Sequence, residues 1–128
     1  MLTLDELARM IDHSILLPGQ TDTDLVEGIT IARKYRVRCV VPKAFQAARA
    51  KRLLEGSDVR LSIAIGFPQG LNLPEVKRYE AERVLDQGAQ ELDMVINISA
   101  LKSGHYEFVE RDVAGIVEVE NRYGAPVK

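Results

Sequence analysis

Five short runs that read as strands begin near residues 11, 37, 59, 90 and 126, and a stretch with helical signals separates each pair. This alternation constrains the fold more than any other feature. Strand–helix–strand units pack as parallel sheets with right-handed crossovers. Thr3 and Glu6 have capping-box spacing and announce a first helix. Residues 11–16 are extended and closed by Pro18-Gly19. Thr21 to Asp24 opens a second helix, its acids suited to a helix N-terminus, with Leu25, Ile29 and Ala32 at helical spacing and Val26 widening the stripe. Residues 37–41 are β-branched, and Pro42 ends that strand. Residues 43–54, rich in Ala, Arg and Lys, read as helix, and 59–65 as the third strand. The glycine-and-proline loop 66–70 follows. Pro74 suits the first turn of a helix that carries Val76, Tyr79 and Val84 and stops at Gly88. The fourth strand, 92–96, leads into a loop over 97–104. A long helix over about 105–123 then presents Phe108, Val109, Val113, Ile116 and Val117 and stops at Gly124, and residues 125–128 read as a strand beginning.

Two architectures fit this pattern: a flavodoxin-like open sheet, or part of a (β/α)8 barrel. The chain has 128 residues, enough for a single domain with one core. A whole barrel takes ~250 residues. A flavodoxin-like sheet ends with a fifth strand and a covering helix, whereas this sequence stops where its fifth strand starts. A net charge of −2 argues against a general nucleic-acid binder, which needs a basic face. No apolar run approaches the ~18 residues of a membrane span, and the acidic-amphipathic N-terminus lacks the layout of a signal peptide. One cysteine, Cys39, excludes an internal disulfide framework and fits a reducing compartment, so the cytoplasm is the expected location.

In either architecture, functional residues lie at the C-terminal ends of parallel strands and on the loops after them. That rule selects Asp12 and His13 on the first strand, Cys39 and Lys43 on and after the second, and the loop 66–72 after the third. Asp93, Asn97 and Lys102 belong to the fourth, and Lys128 to the fifth. Asp93 stands out, because a carboxylate within a buried apolar strand is costly unless it has a partner or a task. Each candidate also has a structural reading. Asp93 can cap a neighbouring loop or pair with a lysine, His13 can be a packed, hydrogen-bonded histidine, and Cys39 can be a small buried apolar residue. His105 reads as a cap neighbour, and Lys43 and Lys102 as solvated loop charges. Two isolated histidines and one cysteine offer no metal-ligand spacing, and no cofactor is expected. There is no GxGxxG, no P-loop and no serine nucleophile elbow. Carboxylate and lysine at strand ends remain, a pairing suited to proton transfer and amine chemistry.

Those residues resemble the deoxyribose-phosphate aldolase family, class I aldolases built as (β/α)8 barrels. The strongest part is Gly88-Ala89, Glu91-Leu92-Asp93-Met94-Val95-Ile96-Asn97-Ile98 and Ala100-Leu101-Lys102-Ser103-Gly104. Ile11 to Leu16 resembles the family's first strand, with Ser14 where threonine is usual and Leu17 where lysine is common. Ile65-Gly66-Phe67-Pro68-Gln69-Gly70 resembles the third-strand exit. The second strand matches less well: Val41 replaces a usual asparagine, and Lys43 stands where cysteine is frequent. The resemblance implies metal-free, reversible cleavage of 2-deoxy-D-ribose 5-phosphate to acetaldehyde and D-glyceraldehyde 3-phosphate through a lysine Schiff base. It implies that Asp93 is the proton-relay carboxylate, and that Asp12, Cys39 and Lys128 line the substrate pocket.

The family's Schiff-base lysine belongs to the sixth strand, its second catalytic lysine to the seventh, and its phosphate loops follow the seventh and eighth. None falls within residues 1–128. The chain is therefore expected to cover the first four βα units and the start of the fifth strand, as one domain, and to be inactive alone. If the natural protein continues, the lysine motif is expected ~20–35 residues further on, one more βα unit. The alternative is a non-catalytic half-barrel acting as an oligomerising or binding module, with oligomerisation hiding its open edge and apolar inner face. The expected partners are a small phosphorylated aldehyde or sugar and further copies of the chain, with neither nucleic acid nor membrane.

Overall fold

A computed structural model describes residues 1–128. The elements run α1 (Leu4–Ala8), β1 (Asp12–Ile15), α2 (Asp22–Tyr35), β2 (Cys39–Pro42), α3 (Ala47–Leu53), β3 (Arg60–Ile65), α4 (Pro74–Asp86), β4 (Glu91–Met94), α5 (Ile98–Lys102) and α6 (Tyr106–Tyr123). The four strands form one parallel sheet in the order β1-β2-β3-β4. The last residues extend it: Val127 bridges Leu92, and Lys128 N–H donates to the Leu92 carbonyl at 2.8 Å. A flavodoxin-like sheet reverses its strand order at a switch point. This one adds each strand beside the last, as a barrel wall does.

The two faces of the sheet differ in kind. Ile15, Val40, Leu61, Ile63, Ile65 and Leu92 point outward into a core cluster of 21 buried residues that includes Leu25, Ile29, Ala81, Val84, Ile116 and Val119 from the helices. The opposite face carries a cluster of only three buried apolar residues, Cys39, Val41 and Ala64, all from strands. Burying one Ile or Leu is worth about 1.5–3 kcal/mol. The helix-covered face therefore supplies most of the hydrophobic stabilisation, and the inner face is left for polar groups.

Local chemistry explains the element ends. Thr3 N–H donates to Glu6 Oε2 at 2.8 Å and Glu6 N–H to Thr3 Oγ1 at 3.2 Å, the expected capping box. Thr21 N–H donates to Asp24 Oδ2 at 2.6 Å, which starts α2. Pro74 occupies the first turn of α4, and Gly124 ends α6 at φ 67°.

The structure departs from the sequence reading at several places. β2 begins at Cys39 rather than residue 37 and includes Pro42, and Val26 of α2 is exposed rather than part of the apolar stripe. The helix expected from residue 43 begins as a 3-10 turn, Ala44–Gln46, because Lys43 is still extended. The expected loop over 97–104 contains α5, which forms because Asn97 Oδ1 accepts the Ala100 N–H at 3.0 Å. The fourth strand begins near residue 90 as expected, at Glu91, but pairs only to Met94, two residues short of the expected end at residue 96. The buried faces of α4 and α6 are rotated from those expected. Val76, Tyr79 and Val117 are exposed, whereas Lys77 and Asp112 are buried. Replacing Ile63 with alanine is expected to destabilise the chain by about 2–5 kcal/mol without changing the denaturant slope, as read by urea unfolding. A loss below 1 kcal/mol would mean that the outward face is not the main core.

Candidate active site

Alternation along the strands brings Asp12, Ser14, Cys39, Val41, Ala64 and Asp93 to the inner face, where Lys128 joins them. An open cleft of ≈ 350 Å³ lies there, lined among others by Asp12, Ser14, Phe67, Asp93, Val95 and Lys128. The larger cleft, ≈ 930 Å³, lies beside α5 and the start of α6, away from this cluster.

Lys128 is the centre of the arrangement. Its ammonium donates to Asp12 Oδ2 and lies 3.1 Å from Glu91 Oε2 and 3.6 Å from Asp93 Oδ1. The Cys39 thiol donates to Asp12 Oδ1 at 2.9 Å and lies 3.9 Å from Lys128 Nζ. The four residues singled out from sequence, Asp12, Cys39, Asp93 and Lys128, are thus brought together from four places in the chain. Asp93 is less enclosed than a carboxylate in a buried strand would be, with 28% of its side chain exposed. The inner face of β4 opens onto the cleft.

Electrostatics sets the protonation of each group. Partial burial works against the charge on Lys128, but its bonds to Asp12 and Glu91 outweigh that and raise its pKa well above the ordinary lysine value. At neutral pH Lys128 is therefore a fixed cation and not a free-amine nucleophile. Burial favours the neutral form of Asp12, yet the Cys39 and Lys128 hydrogen bonds win and hold its pKa below the usual carboxylate range. Burial, and then the Asp12 hydrogen bond, push the Cys39 thiol up, so it stays protonated and serves as a donor.

The sequence reading missed Glu91. Its side chain is fully buried, and it accepts from Arg60 Nη1 at 2.6 Å and Arg38 Nη2 at 3.0 Å besides facing Lys128. Burial raises its pKa, but the Lys128 and Arg38 bonds prevail and lower it. The available signal was a second acid two residues before Asp93, hence on the same face. Ser62 Oγ is also buried and lacks a protein partner. Of the remaining candidates, His13 faces α2, where an added Cβ at Gly28 would lie 3.5 Å from its Nε2. Lys43 donates to the Gln20 carbonyl at 3.0 Å, and Lys102 is exposed. His105 sits at the start of α6 without a capping hydrogen bond. None of these reaches the cluster.

Comparison with known proteins places the geometry in a family context. No family model matches the chain. The deoxyribose-phosphate aldolase of Methanothermobacter thermautotrophicus is 41% identical over 126 residues, which is 98% of this chain and 55% of that protein. The deoxyribose-phosphate aldolase of Enterococcus faecalis is 45% identical over 113 residues, 88% of this chain and 51% of that one. The solved structure of the Aeropyrum pernix deoxyribose phosphate aldolase, described as a unique tetramer, superposes with a TM-score of 0.89 at 38% identity. The match covers 98% of this chain and 52% of that one. The chain spans about half the length of the curated relatives it matches, and its sheet fits the first βα units of their barrel.

The cluster makes a prediction about acid stability. Asp12 and Glu91 have folded-state pKa values below their unfolded values, so each contributes stability that is present above the unfolded value of about 4 and is lost as pH falls through the folded one. Lys128→Met removes the cation that depresses both. The variant is expected to lose stability at a higher pH than the parent as acid is added, read as the urea midpoint between about pH 3 and pH 7. Superimposable pH profiles would mean that the cluster does not form in solution.

Proposed function

From its homology to deoxyribose-phosphate aldolases at about 40% identity, we propose that this chain contributes the Asp93 side of an aldolase active site. The observation that carries the reading is the convergence of Asp12, Asp93 and a protonated Lys128 on one cleft at the inner face of a parallel sheet. The reaction is the reversible retro-aldol cleavage of 2-deoxy-D-ribose 5-phosphate. A lysine outside residues 1–128 forms a protonated imine at C1. Removing the proton of the C3 hydroxyl lets the C2–C3 bond break, with its electron pair drawn into the iminium as an enamine. D-glyceraldehyde 3-phosphate leaves. Protonation of C2 and hydrolysis of the imine then release acetaldehyde and the lysine.

Asp93 suits the proton relay because it faces the cleft and makes no hydrogen bond to another protein side chain, which leaves it free to exchange protons with a bound sugar or a water. Lys128 supplies a nearby positive charge that keeps carboxylates ionised and favours an anionic or electron-rich reacting group. Asp12 and the Cys39 thiol form the wall and hold Lys128 in place. The role is in the cytoplasmic breakdown of deoxyribonucleotides, in a homo-oligomer. Residues 1–128 alone form no Schiff base and are inactive. The alternative of a non-catalytic, self-associating half-barrel draws on the outer edge of β1, which pairs with no other strand, and on the exposure of Asp12 and Ser14.

The first test is the intact mass of the natural gene product against the 14.3 kDa of this chain. About twice that mass is expected. Borohydride reduction in the presence of the sugar phosphate should then add a covalent adduct to the whole protein and none to residues 1–128. A natural product of 14.3 kDa favours the half-barrel. In the natural protein, Asp93→Asn is expected to lower turnover at least ~100-fold while leaving the circular dichroism spectrum and Tm unchanged. Wild-type turnover in that variant would remove Asp93 from the relay.

A further inference from the structure

The seam between α4 and α6 contains an ion pair in a place built for apolar side chains. Lys77 of α4 is 0% exposed and Asp112 of α6 is 1% exposed, with Lys77 Nζ 2.6 Å from Asp112 Oδ2. Asp112 lies on the face of α6 that otherwise buries Val109, Gly115, Ile116 and Val119. Such a pair is a poor source of stability. Removing both charges from water costs several kcal/mol, and well-packed apolar replacements are often neutral or stabilising.

What an apolar pair lacks is a directed bond, and Lys77 makes one. Its ammonium also donates to the Val95 carbonyl at 3.1 Å. Val95 is the first residue after β4, and its N–H donates to the Ile65 carbonyl at 2.9 Å. The Val95 N–H thus forms the last rung of the β3–β4 ladder, and its carbonyl, beyond the ladder, is held by Lys77. The loop after β3 is shaped around the same point. The Lys77 side chain passes under Gly66, where an added Cβ would lie 2.8 Å from Lys77 Cε. Gly70, at φ +69°, lets the loop approach so closely that an added Cβ would lie 2.0 Å from the Ile96 carbonyl oxygen. Gly70 N–H closes the loop onto the Gly66 carbonyl at 2.7 Å. Val95 lines the inner cleft, and Asp93 is two residues before it on the same face.

We infer that Lys77, held by Asp112, is a positioning residue that fixes the exit of β4 and thereby the placement of Asp93 in the cleft. The inference rests on the aldolase reading given above for the role of Asp93, but its geometric part stands apart from the reaction. A positioning role is consistent with the sensitivity of turnover to small misplacements of a reacting group.

The test is made in the natural gene product. Lys77→Met with Asp112→Leu removes both charges together, so no buried charge is left unpaired. A second variant, Lys77→Gln with Asp112→Asn, keeps a polar contact across the seam but has a side chain too short to reach Val95. For each, Tm, kcat and KM for 2-deoxy-D-ribose 5-phosphate, and amide hydrogen exchange at residues 95–97 are measured. The expected result is a Tm within a few degrees of the parent or higher and exchange at 95–97 at least ~10-fold faster, with α4 and α6 still protected. kcat should fall at least ~10-fold with KM little changed. Parental kcat and parental exchange at 95–97 in a folded variant would overturn the inference. So would unfolding of both variants, because it makes the pair a stability element. If the parent shows no retro-aldol activity, the aldolase reading fails by itself, and faster or unchanged exchange at 95–97 still decides for or against the tether.

Discussion

A strand turns successive side chains to opposite faces. In this chain the two faces meet different surroundings. Every second residue of β1 to β4 is committed to a helix-covered apolar layer, and the residues between are thereby committed to the inside of a barrel wall. The site follows from this constraint. Asp12, Cys39 and Asp93 share a face because the ladder aligns Asp12 with Cys39 and Ala64 with Asp93, and because none of them can turn outward without displacing an apolar neighbour.

Three carboxylates share that face, and Lys128 is the cation that lies within reach of all three, with Arg38 and Arg60 also holding Glu91. The ammonium makes the arrangement self-consistent: it keeps Asp12 and Glu91 ionised, and they in turn keep it charged. A group so held can orient and stabilise charge, but it cannot act as an unprotonated amine. Under the aldolase reading proposed above, this part of the wall serves proton transfer and electrostatic support, and covalent attack belongs to a lysine in a different environment.

The sheet and its helices were legible in the sequence because they follow from periodicity. The strand-end rule put Asp12, Cys39, Asp93 and Lys128 in a longer list of candidates, although Asp12 and Cys39 begin β1 and β2 rather than end them. The resemblance named the same four positions. Glu91 was not legible as a site residue. Its partners Arg38 and Arg60 lie 53 and 31 residues away, and only the register of the sheet brings them together. Lys77 and Asp112 were missed for a related reason. Pattern reading assigns a charged residue to the solvent face, so the expected stripe on α4 slid toward Val76 and Tyr79. The short helix α5 was hidden by a local hydrogen bond from Ala100 to Asn97 that composition does not reveal.

The bond between Lys128 and Asp12 joins residues 116 positions apart. The pairings of β1 with β2, β2 with β3 and β3 with β4 each close a far shorter stretch of chain. Loop-closure entropy rises with the length enclosed, so contacts between sequence neighbours form first and the most distant ones last. The electrostatic centre of the site is accordingly expected to form late in folding. A chain emerging residue by residue during synthesis presents all three acids before the cation that they share. Until then Asp12 and Asp93 lack their lysine, and of the three acids only Glu91, which Arg38 and Arg60 also hold, has its charge compensated.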